Sequence, residues 1–166
     1  MAIHIIRKNI VELEVDAIVN AANTMLQRGG GVCGAIFQGA ASKKLDEECS
    51  ELAPIKTGEA VMTNGYNLKA KYIIHTAGPI YQDGSHNEDA LLQDSYQNSL
   101  ELGFQEGLNS IAFPLISTGI YGYPKKEAME IAIETMKNFL KDYEMEIYIA
   151  VLNKEEEEYL NHLLQE

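Results

Sequence analysis

The chain has 166 residues, of which 46% are hydrophobic and 23% are charged, as is typical of one globular domain. Thirteen basic residues against twenty-five acidic ones give a net charge of −12 at pH 7. A protein that binds nucleic acid through the phosphate backbone needs many basic groups, so this charge argues against nucleic acid as the main ligand. One small anion stays compatible with it, because backbone amides and helix N-termini bind anions without basic side chains.

The apolar runs are short, and the longest of them, such as 147–152, have the length of a strand rather than of a membrane span. The N-terminal residues lack the basic and then apolar pattern of a signal peptide. The two cysteines have neither CxxC nor zinc-site spacing, and the histidines show no ligand spacing. We therefore expect a cytoplasmic protein with no membrane contact, no metal and no cofactor.

Strand-like and helical patterns alternate along the chain without a linker or a repeat. In chain order they are strands 3–7 and 17–22, helix 32–49, strands 59–63 and 71–76, helix 88–105, strand 110–115, a helix beginning at Pro124, strand 146–152 and helix 155–164. Such alternation predicts one α/β domain over residues 1–166, with helices on both faces of a largely parallel or mixed sheet. Ligands of such sheets lie beyond the carboxyl ends of the strands.

Two of the predicted helices carry a stripe of residues at helical spacing that is expected to pack on the sheet. In helix 88–105 the stripe is Leu92, Tyr96, Leu100 and Phe104. In the helix after Pro124 it is Ala128, Ile131, Ala132, Thr135, Met136 and Phe139. Between strands 59–63 and 71–76, the pair Asn64-Gly65 is typical of a turn.

The end of the second strand is followed by the most informative segment of the sequence. Asn20 and Asn23 precede Gly29, Gly30 and Gly31, and a predicted helix follows directly. Glycines let the backbone approach a ligand with free N–H groups, and the helix adds the positive end of its dipole. The pattern is neither a dinucleotide fingerprint nor a Walker A loop. It predicts an anion-binding pocket with amide side chains beside it, although both asparagines would also serve as plain turn residues.

A second glycine-containing loop, 117–122, also follows a predicted strand. Ser117 and Thr118 add small hydrogen-bond donors, and Tyr121 adds an aromatic face that suits a sugar. Two such loops on one rim of the sheet would hold a diphosphate from two sides.

Three further features invite a functional interpretation. His75 lies on a predicted buried strand and is expected to be a hydrogen-bonded core histidine rather than a catalytic one. Cys33, at the helix start, has two interpretations: a thiol of lowered pKa, or, as we favour, an apolar residue packed under the glycine loop. The run Glu155–Glu158 is expected to be a solvated first helical turn without a function.

Together these segments resemble the macrodomain family, whose members bind ADP-ribose. The segments that carry the resemblance are Val19–Asn23, Gly29–Val32, Thr57–Ala60, His75–Pro79 and Ile111–Gly122. The resemblance implies a three-layer α/β/α fold around a mixed six-stranded sheet. ADP-ribose, free or attached to a protein, would lie across the rim of that sheet. We also expect a monomer.

The resemblance further implies roles for individual residues. Asn23 would hydrogen-bond the distal ribose, and together with Gly30, Gly31 and Gly119 it would form the catalytic set. The expected ligand-binding residues, in chain order, are Asn9, Ile10, Asn20, Asn23, Gly31, Val32, Cys33, Ser117, Thr118, Gly119, Ile120, Tyr121 and Leu152.

The sequence departs from the family pattern at three places. Asn9 replaces the aspartate that usually accepts from the adenine amino group, and Leu152 stands where relatives often have an aromatic residue. MacroD-type hydrolases have Gly-Gly-Gly-Val-Asp-Gly-x-Ile-His after the asparagines. Here Cys33 and Phe37 occupy the positions of that aspartate and histidine.

These departures leave two functions open. The first is an enzyme that hydrolyses mono-ADP-ribosyl esters on protein Asp or Glu side chains, or O-acetyl-ADP-ribose, with a ligand-held water as the nucleophile. The second is a reader or scavenger that binds ADP-ribose without turnover. The intact cleft motif favours the enzyme, and the loss of the aspartate predicts that it is slow.

Overall fold

Six strands and five helices alternate along residues 2–166, the part of the chain that the computed structural model describes. The strands are β1 (Ile3–Ile6), β2 (Ala17–Ala22), β3 (Ala60–Asn64), β4 (Tyr72–Ala77), β5 (Ser110–Phe113) and β6 (Glu146–Ala150). The helices are α1 (Gly31–Ala40), α2 (Lys43–Leu52), α3 (Glu88–Gln105), α4 (Lys125–Leu140) and α5 (Lys154–Leu164), and a 3₁₀ turn spans Ile10–Glu12. Within this part of the chain, no helix is both long and apolar enough to cross a membrane.

All six strands form one sheet in the order β1-β6-β5-β2-β4-β3. Neighbouring strands run parallel, except that β3 is antiparallel to β4. The short connection at 65–71 begins at the predicted Asn64-Gly65 turn. The predicted mixed six-stranded sheet is therefore confirmed.

Hydrophobic clusters lie on both faces of the sheet. Along β2, Ala17 and Val19 belong to one cluster and Ile18 to the other, as the alternation of side chains along a strand requires. Residues of α3, α4 and α5 complete the first cluster, and residues of α1 and α2 complete the second. The predicted three layers are present.

One predicted helix is two helices. The segment 32–49 is broken at Ala41, which has a left-handed backbone (φ +46°), and at Ser42, whose Oγ accepts from Lys44 N at 3.2 Å. A serine N-cap explains the restart. Neither glycine nor proline occupies position 41, where α1 ends, so the helical pattern of the sequence continues through the break.

The remaining differences concern helix and strand ends. Leu92, Tyr96 and Leu100 are buried as predicted, but Phe104, on the last turn of α3, is 44% exposed and packs beside Tyr143. Strand β5 ends at Phe113, because Pro114 has no N–H for the ladder. Strands β5 and β6 both end two residues before the prediction, and the residues that follow become walls of a cavity.

Candidate functional site

A cavity of about 690 Å³ lies at the carboxyl ends of four adjacent strands, β1, β6, β5 and β2. Its walls are formed mainly by the ends of those strands and the segments that follow them, namely 8–10, 150–152, 114–121, and 21–23 with 29–33, and Gly78 after β4 also lines it. Sheet order therefore fixes the order of the walls along the cavity. The β1 and β6 segments form one end, and the segment after β2 forms the other.

Most of the predicted site residues meet in this cavity. Those that line it are Asn9, Ile10, Asn23, Gly30, Gly31, Val32, Cys33, Ser117, Thr118, Gly119, Ile120, Tyr121 and Leu152. Asn20 does not line it. Phe37, at the position of the family histidine, is also absent from the lining and is buried beside His75.

Asn20 belongs to a buried polar group around His75. In the parallel register of β2 and β4 these two residues are direct neighbours, and Asn20 Nδ2 lies 3.0 Å from His75 Nδ1. Thr63 Oγ1 lies 2.9 Å from His75 Nε2. Burial lowers the pKa of His75 to about 4, so the ring is neutral at pH 7. His75 is a core histidine as predicted, whereas the expected ligand contact of Asn20 finds no support in the structure.

Asn23 both lines the cavity and holds the turn that follows it. Its Oδ1 accepts from Met25 N and Gln27 N, each at 3.1 Å, and its Nδ2 donates to Gln27 O at 3.0 Å. The turn interpretation and the ligand interpretation of this asparagine are thus compatible. A substitution at Asn23 will affect the shape of the loop as well as any ligand contact.

The glycine loop is fastened to α2 by Arg28. The guanidinium forms two hydrogen bonds with Asp46, from Nε to Oδ1 at 2.9 Å and from Nη2 to Oδ2 at 3.0 Å. It also lies 5.3 Å from the centre of the Phe37 ring. The Arg28 hydrogen bonds hold the pKa of the Asp46 carboxyl below its usual range. This paired geometry fixes the loop just before its glycines.

The N-terminus of α1 provides free backbone donors at the cavity. The first bond that closes the helix runs from Gly34 N to Gly30 O (3.2 Å), so the N–H groups of Gly31, Val32 and Cys33 have no partner within the helix. A Cβ at Gly34 would come 2.8 Å from Gly29 O, so the loop needs glycine there for close approach. An anion at this end would meet both the N–H groups and the helix dipole.

Cys33 lies in this first turn and lines the cavity, yet its side chain is buried. The sulfur is 3.8 Å from Gln27 O, a weak contact within the same loop. This geometry supports the interpretation of Cys33 as a packing residue under the glycine loop.

The second loop, 114–123, forms the facing wall and is held by its own backbone. Tyr123 N donates to Ser117 O (2.9 Å), Gly122 N donates to Gly119 O (3.0 Å), and Thr118 Oγ1 donates to Leu115 O (2.9 Å). Ser117 has a left-handed backbone (φ +68°). Its hydroxyl is buried without a hydrogen-bond partner among the described residues. At the tip of the loop, the Ile120 side chain is 95% exposed over the cavity mouth.

A neighbouring loop supports the second wall from behind. Tyr81 N donates to Tyr121 O at 2.9 Å, and the Tyr123 hydroxyl donates to Asp89. The Glu88 carboxylate accepts from the backbone N–H groups of Gln82, Asp83, Gly84 and His86. Burial alone would raise the pKa of Glu88, but these four donors together lower it to about 2. Glu88 thus keeps its charge and shapes the loop that carries Tyr81.

Ligand atoms of Asp83, His86 and Glu88 lie within 4.8 Å of one another. The carboxylate oxygens of Asp83 and Glu88 already form hydrogen bonds with Ser85, His86 and the backbone of this loop. The group is therefore the frame of a loop, and its geometry does not point to a metal.

The β1–β6 end of the cavity contains two residues that the sequence did not suggest. Lys125, at the start of α4, and Glu156, in the first turn of α5, both line it, and their Nζ and Oε2 atoms are 3.0 Å apart. Asn9 Oδ1 accepts from Val11 N at 3.2 Å, which leaves the oxygen a second lone pair for a ligand. Leu152 is 75% exposed beside them.

A comparison with known protein families identifies the fold. The Macro domain family model matches residues 19–132, which is more than half of the chain. The chain belongs to the macrodomain family. This macrodomain is 46% identical to the O-acetyl-ADP-ribose deacetylase of Escherichia fergusonii, over 98% of this chain and 94% of that one. It is 42% identical to the enzyme of the same name from Escherichia coli, with the same coverage.

Solved macrodomains have the same fold. The Oceanobacillus iheyensis macrodomain with ADP matches at a TM-score of 0.92 and 36% identity, over 97% of this chain and 88% of that one. The Trypanosoma brucei macrodomain in complex with ADP-ribose matches at a TM-score of 0.90 and 36% identity, over 98% of this chain and 69% of that one.

Variants of the Oceanobacillus protein mark three positions that can be compared by spacing. In separate structures an asparagine, a glycine or an aspartate is replaced, and the intervals between these positions are seven and three residues. Asn23, Gly30 and Cys33 have the same intervals here. Cys33 thus stands at the spacing of that aspartate, in agreement with the departure noted in the sequence.

Proposed function

We propose that this macrodomain binds ADP-ribose along the cavity and hydrolyses ADP-ribosyl esters. The substrates would be O-acetyl-ADP-ribose or mono-ADP-ribosyl groups on protein Asp and Glu side chains. The observation that carries the proposal is one cavity across four strand ends, with free backbone N–H groups from α1 on one wall and loop 114–123 on the other. The names of the relatives and the bound ADP-ribose of the Trypanosoma macrodomain support it.

In this proposal the groups of the ligand follow one another along the cavity in the same order as the wall segments that bind them. The nucleoside lies at the β1–β6 end, with adenine against Asn9, Ile10 and Leu152. The diphosphate lies between the first turn of α1 and residues 117–121, where N–H groups and a helix dipole suit its charge. The distal ribose then reaches Asn23, Gly30 and Gly31, with Tyr121 beside it.

Hydrolysis adds one water across the ester: the ester bond breaks, and ADP-ribose and a free carboxylic acid leave. Among the described residues that line the cavity, the carboxylate is that of Glu156, at the opposite end from Asn23. The attacking water is therefore held by the ligand's own phosphate and ribose and by Asn23, without a side-chain carboxylate as base. A missing general base typically costs about 10²–10⁴-fold in rate, so a slow enzyme is expected.

A reader or scavenger is the second candidate, and one observation favours it. The Cys33 side chain is buried with its sulfur near Gln27 O, and Phe37 lies in the core, so neither residue offers a base. Such a cleft would still bind ADP-ribose. The two candidates share the ligand and differ in turnover.

The deciding experiment is acetate release from O-acetyl-ADP-ribose with the protein limiting. We expect multiple turnovers, and a drop of about tenfold or more in kcat/KM for Asn23→Ala, because a transition-state contact is lost. Asn161→Ala, on the exposed face of α5, is the matched control and should keep wild-type activity. Thermal unfolding of Asn23→Ala shows whether a loss of activity comes from the missing ligand contact or from a destabilised loop.

Two outcomes would contradict the enzyme proposal. Absence of turnover together with saturable ADP-ribose binding would make the protein a reader or scavenger. Unchanged turnover in a folded Asn23→Ala variant would remove Asn23 from its proposed role. Cys33→Ser should retain activity, and a complete loss there would instead point to a chemical role of the thiol.

A further inference from the structure

The nucleoside end of the proposed site contains an ion pair that the ligand arrangement above does not use. Lys125 and Glu156 line the cavity from the N-termini of α4 and α5, 3.0 Å apart. Lys8 lines the same end from the segment after β1. The question is what a charged pair does beside a nucleoside.

Glu156 is held in place by the local structure of α5. Asn153 caps the helix by accepting from Glu156 N at 2.9 Å, which fixes Glu156 at the third helical position. The Glu156 side chain is only 11% exposed, and its carboxylate is turned to Lys125 and to the cavity. A carboxylate accepts several hydrogen bonds, so this one keeps acceptor capacity for a ligand.

The two partners differ in freedom. The Lys125 side chain is 54% exposed, whereas the glutamate is almost fully buried. An exposed lysine contributes little net stability to such a pair and moves readily, but an ionised, buried carboxylate without its partner is costly. The buried Glu156 carboxylate is therefore the fixed group of this site, and the more exposed Lys125 ammonium is its partner.

We propose that Glu156 determines the specificity for the nucleoside ribose. Its carboxylate accepts from the hydroxyls of that ribose and rejects a ligand that carries a phosphate there. This inference rests on the proposed function, which places the nucleoside at the β1–β6 end. Ribose hydroxyls are donors and match a carboxylate, whereas a phosphate offers acceptors and a like charge next to a buried anion.

The opposite assignment, in which Lys125 attracts a ribose phosphate, is the less favourable one. A phosphate there would lie beside the buried Glu156 carboxylate, and the Lys125 ammonium, which already pairs with Glu156, would have to serve two negative groups at once. A ribose diol leaves the ion pair intact. The burial of the glutamate therefore favours an unphosphorylated ribose.

The test is a calorimetric titration of the whole protein with ADP-ribose and with its 2′-phosphate derivative, which carries the extra phosphate on the nucleoside ribose. We expect ADP-ribose to bind about tenfold or more tightly than the derivative, because like charges oppose the latter. Glu156→Gln should narrow this ratio to about threefold or less, mainly by improving the binding of the derivative. Glu155→Gln, on the exposed side of the same turn, is the matched control and should keep the ratio.

A third ligand keeps the inference testable if Glu156→Gln does not fold. The 2′-deoxy analogue of ADP-ribose should bind the wild-type protein about tenfold more weakly, because the buried carboxylate loses a donor. Equal affinity for the deoxy analogue, or a ratio unchanged in folded Glu156→Gln, would overturn this inference alone. If the wild-type protein binds none of the three ligands, the proposed function itself fails.

Discussion

Residues that lie close together in one motif can belong either to the core or to the cavity wall, according to their place on a strand or helix. Asn20 and Asn23 are three residues apart, yet the first pairs with His75 in the core and the second lines the cavity. Cys33 and Phe37 follow the same glycine loop, and only Cys33 reaches the cavity wall. A substitution at any of these positions therefore has to be interpreted from its contacts, not from the motif alone.

His75 predicts how stability depends on pH. Burial lowers its pKa in the folded state to about 4 from 6.5, so the unfolded chain binds the proton more readily. The stabilising contribution of the neutral ring is complete above pH 6.5 and is lost as the pH falls from 6.5 to about 4. The free energy of unfolding should fall by up to about 3 kcal/mol in this window.

Urea unfolding from pH 7.5 to 4 measures this dependence. A His75→Gln variant will be less stable at pH 7 but should have a flatter profile between pH 6.5 and 4. An identical slope in His75→Gln would show that other groups cause the dependence.

Residue-level prediction from the sequence succeeded where a motif fixes the backbone and failed where orientation decides. Glycines 29–31 and loop 117–122 were placed at the cavity because strand ends and glycines are visible in the sequence. The prediction of a solvated turn at Glu155–Glu158 is wrong for Glu156, which is buried and lines the cavity, because the turn of the helix directs one of four similar glutamates to that side. The useful signal was the distance of three residues from Asn153, the cap of α5.

At the scale of elements, the two walls of the cavity are held by different means. The wall before α1 depends on side chains, namely Asn23 and the Arg28–Asp46 pair. The wall of loop 114–123 depends on backbone bonds and on the support of Tyr81 and Glu88. Gly78, at the end of β4, lies directly under this second wall.

A Gly78→Ala substitution tests that support. A Cβ there would lie 2.3 Å from Ser117 Oγ and 2.5 Å from Ile116 Cγ2, so the wall must move. We expect a loss of about 1–3 kcal/mol in the free energy of unfolding, as for other overpacked sites, and weaker ADP-ribose binding. Chemical denaturation and calorimetry measure the two effects.

Gly119→Ala is the control for this experiment on stability. Its Cβ would meet nothing within 4 Å, and its backbone has no positive φ, so its stability should stay close to wild type. If Gly78→Ala were as stable as Gly119→Ala and bound ADP-ribose normally, the wall would be adaptable rather than fixed.

The limits of the helices also show which features can be predicted from the sequence and which cannot. The sequence predicts helix α3 at its observed limits, because the apolar spacing along 88–105 is regular. The break between α1 and α2 was missed because Ala41 adopts a left-handed backbone that alanine rarely has. The apolar spacing of 32–49 does not mark that turn, and the local signal is the N-cap residue Ser42 that begins α2.

At the scale of the whole molecule, the sheet order explains why one long cavity exists. The carboxyl ends of β1, β6, β5 and β2 lie side by side, so four segments that are distant in sequence line one continuous cavity. The alternation of patterns along the sequence predicts six strands in a parallel or mixed sheet with helices on both faces, and the family resemblance adds that the sheet is mixed. The net charge of −12 does not conflict with an anionic ligand, because the expected donors are backbone N–H groups.

The measurement that tests the central claim most directly is a calorimetric titration of the wild-type protein with ADP-ribose. We expect saturable binding of one ADP-ribose per chain, because one cavity spans the four strand ends. Protein at a concentration well above the expected dissociation constant makes the stoichiometry readable. If the folded protein shows no saturable binding of ADP-ribose, both the hydrolase function and the reader function are excluded.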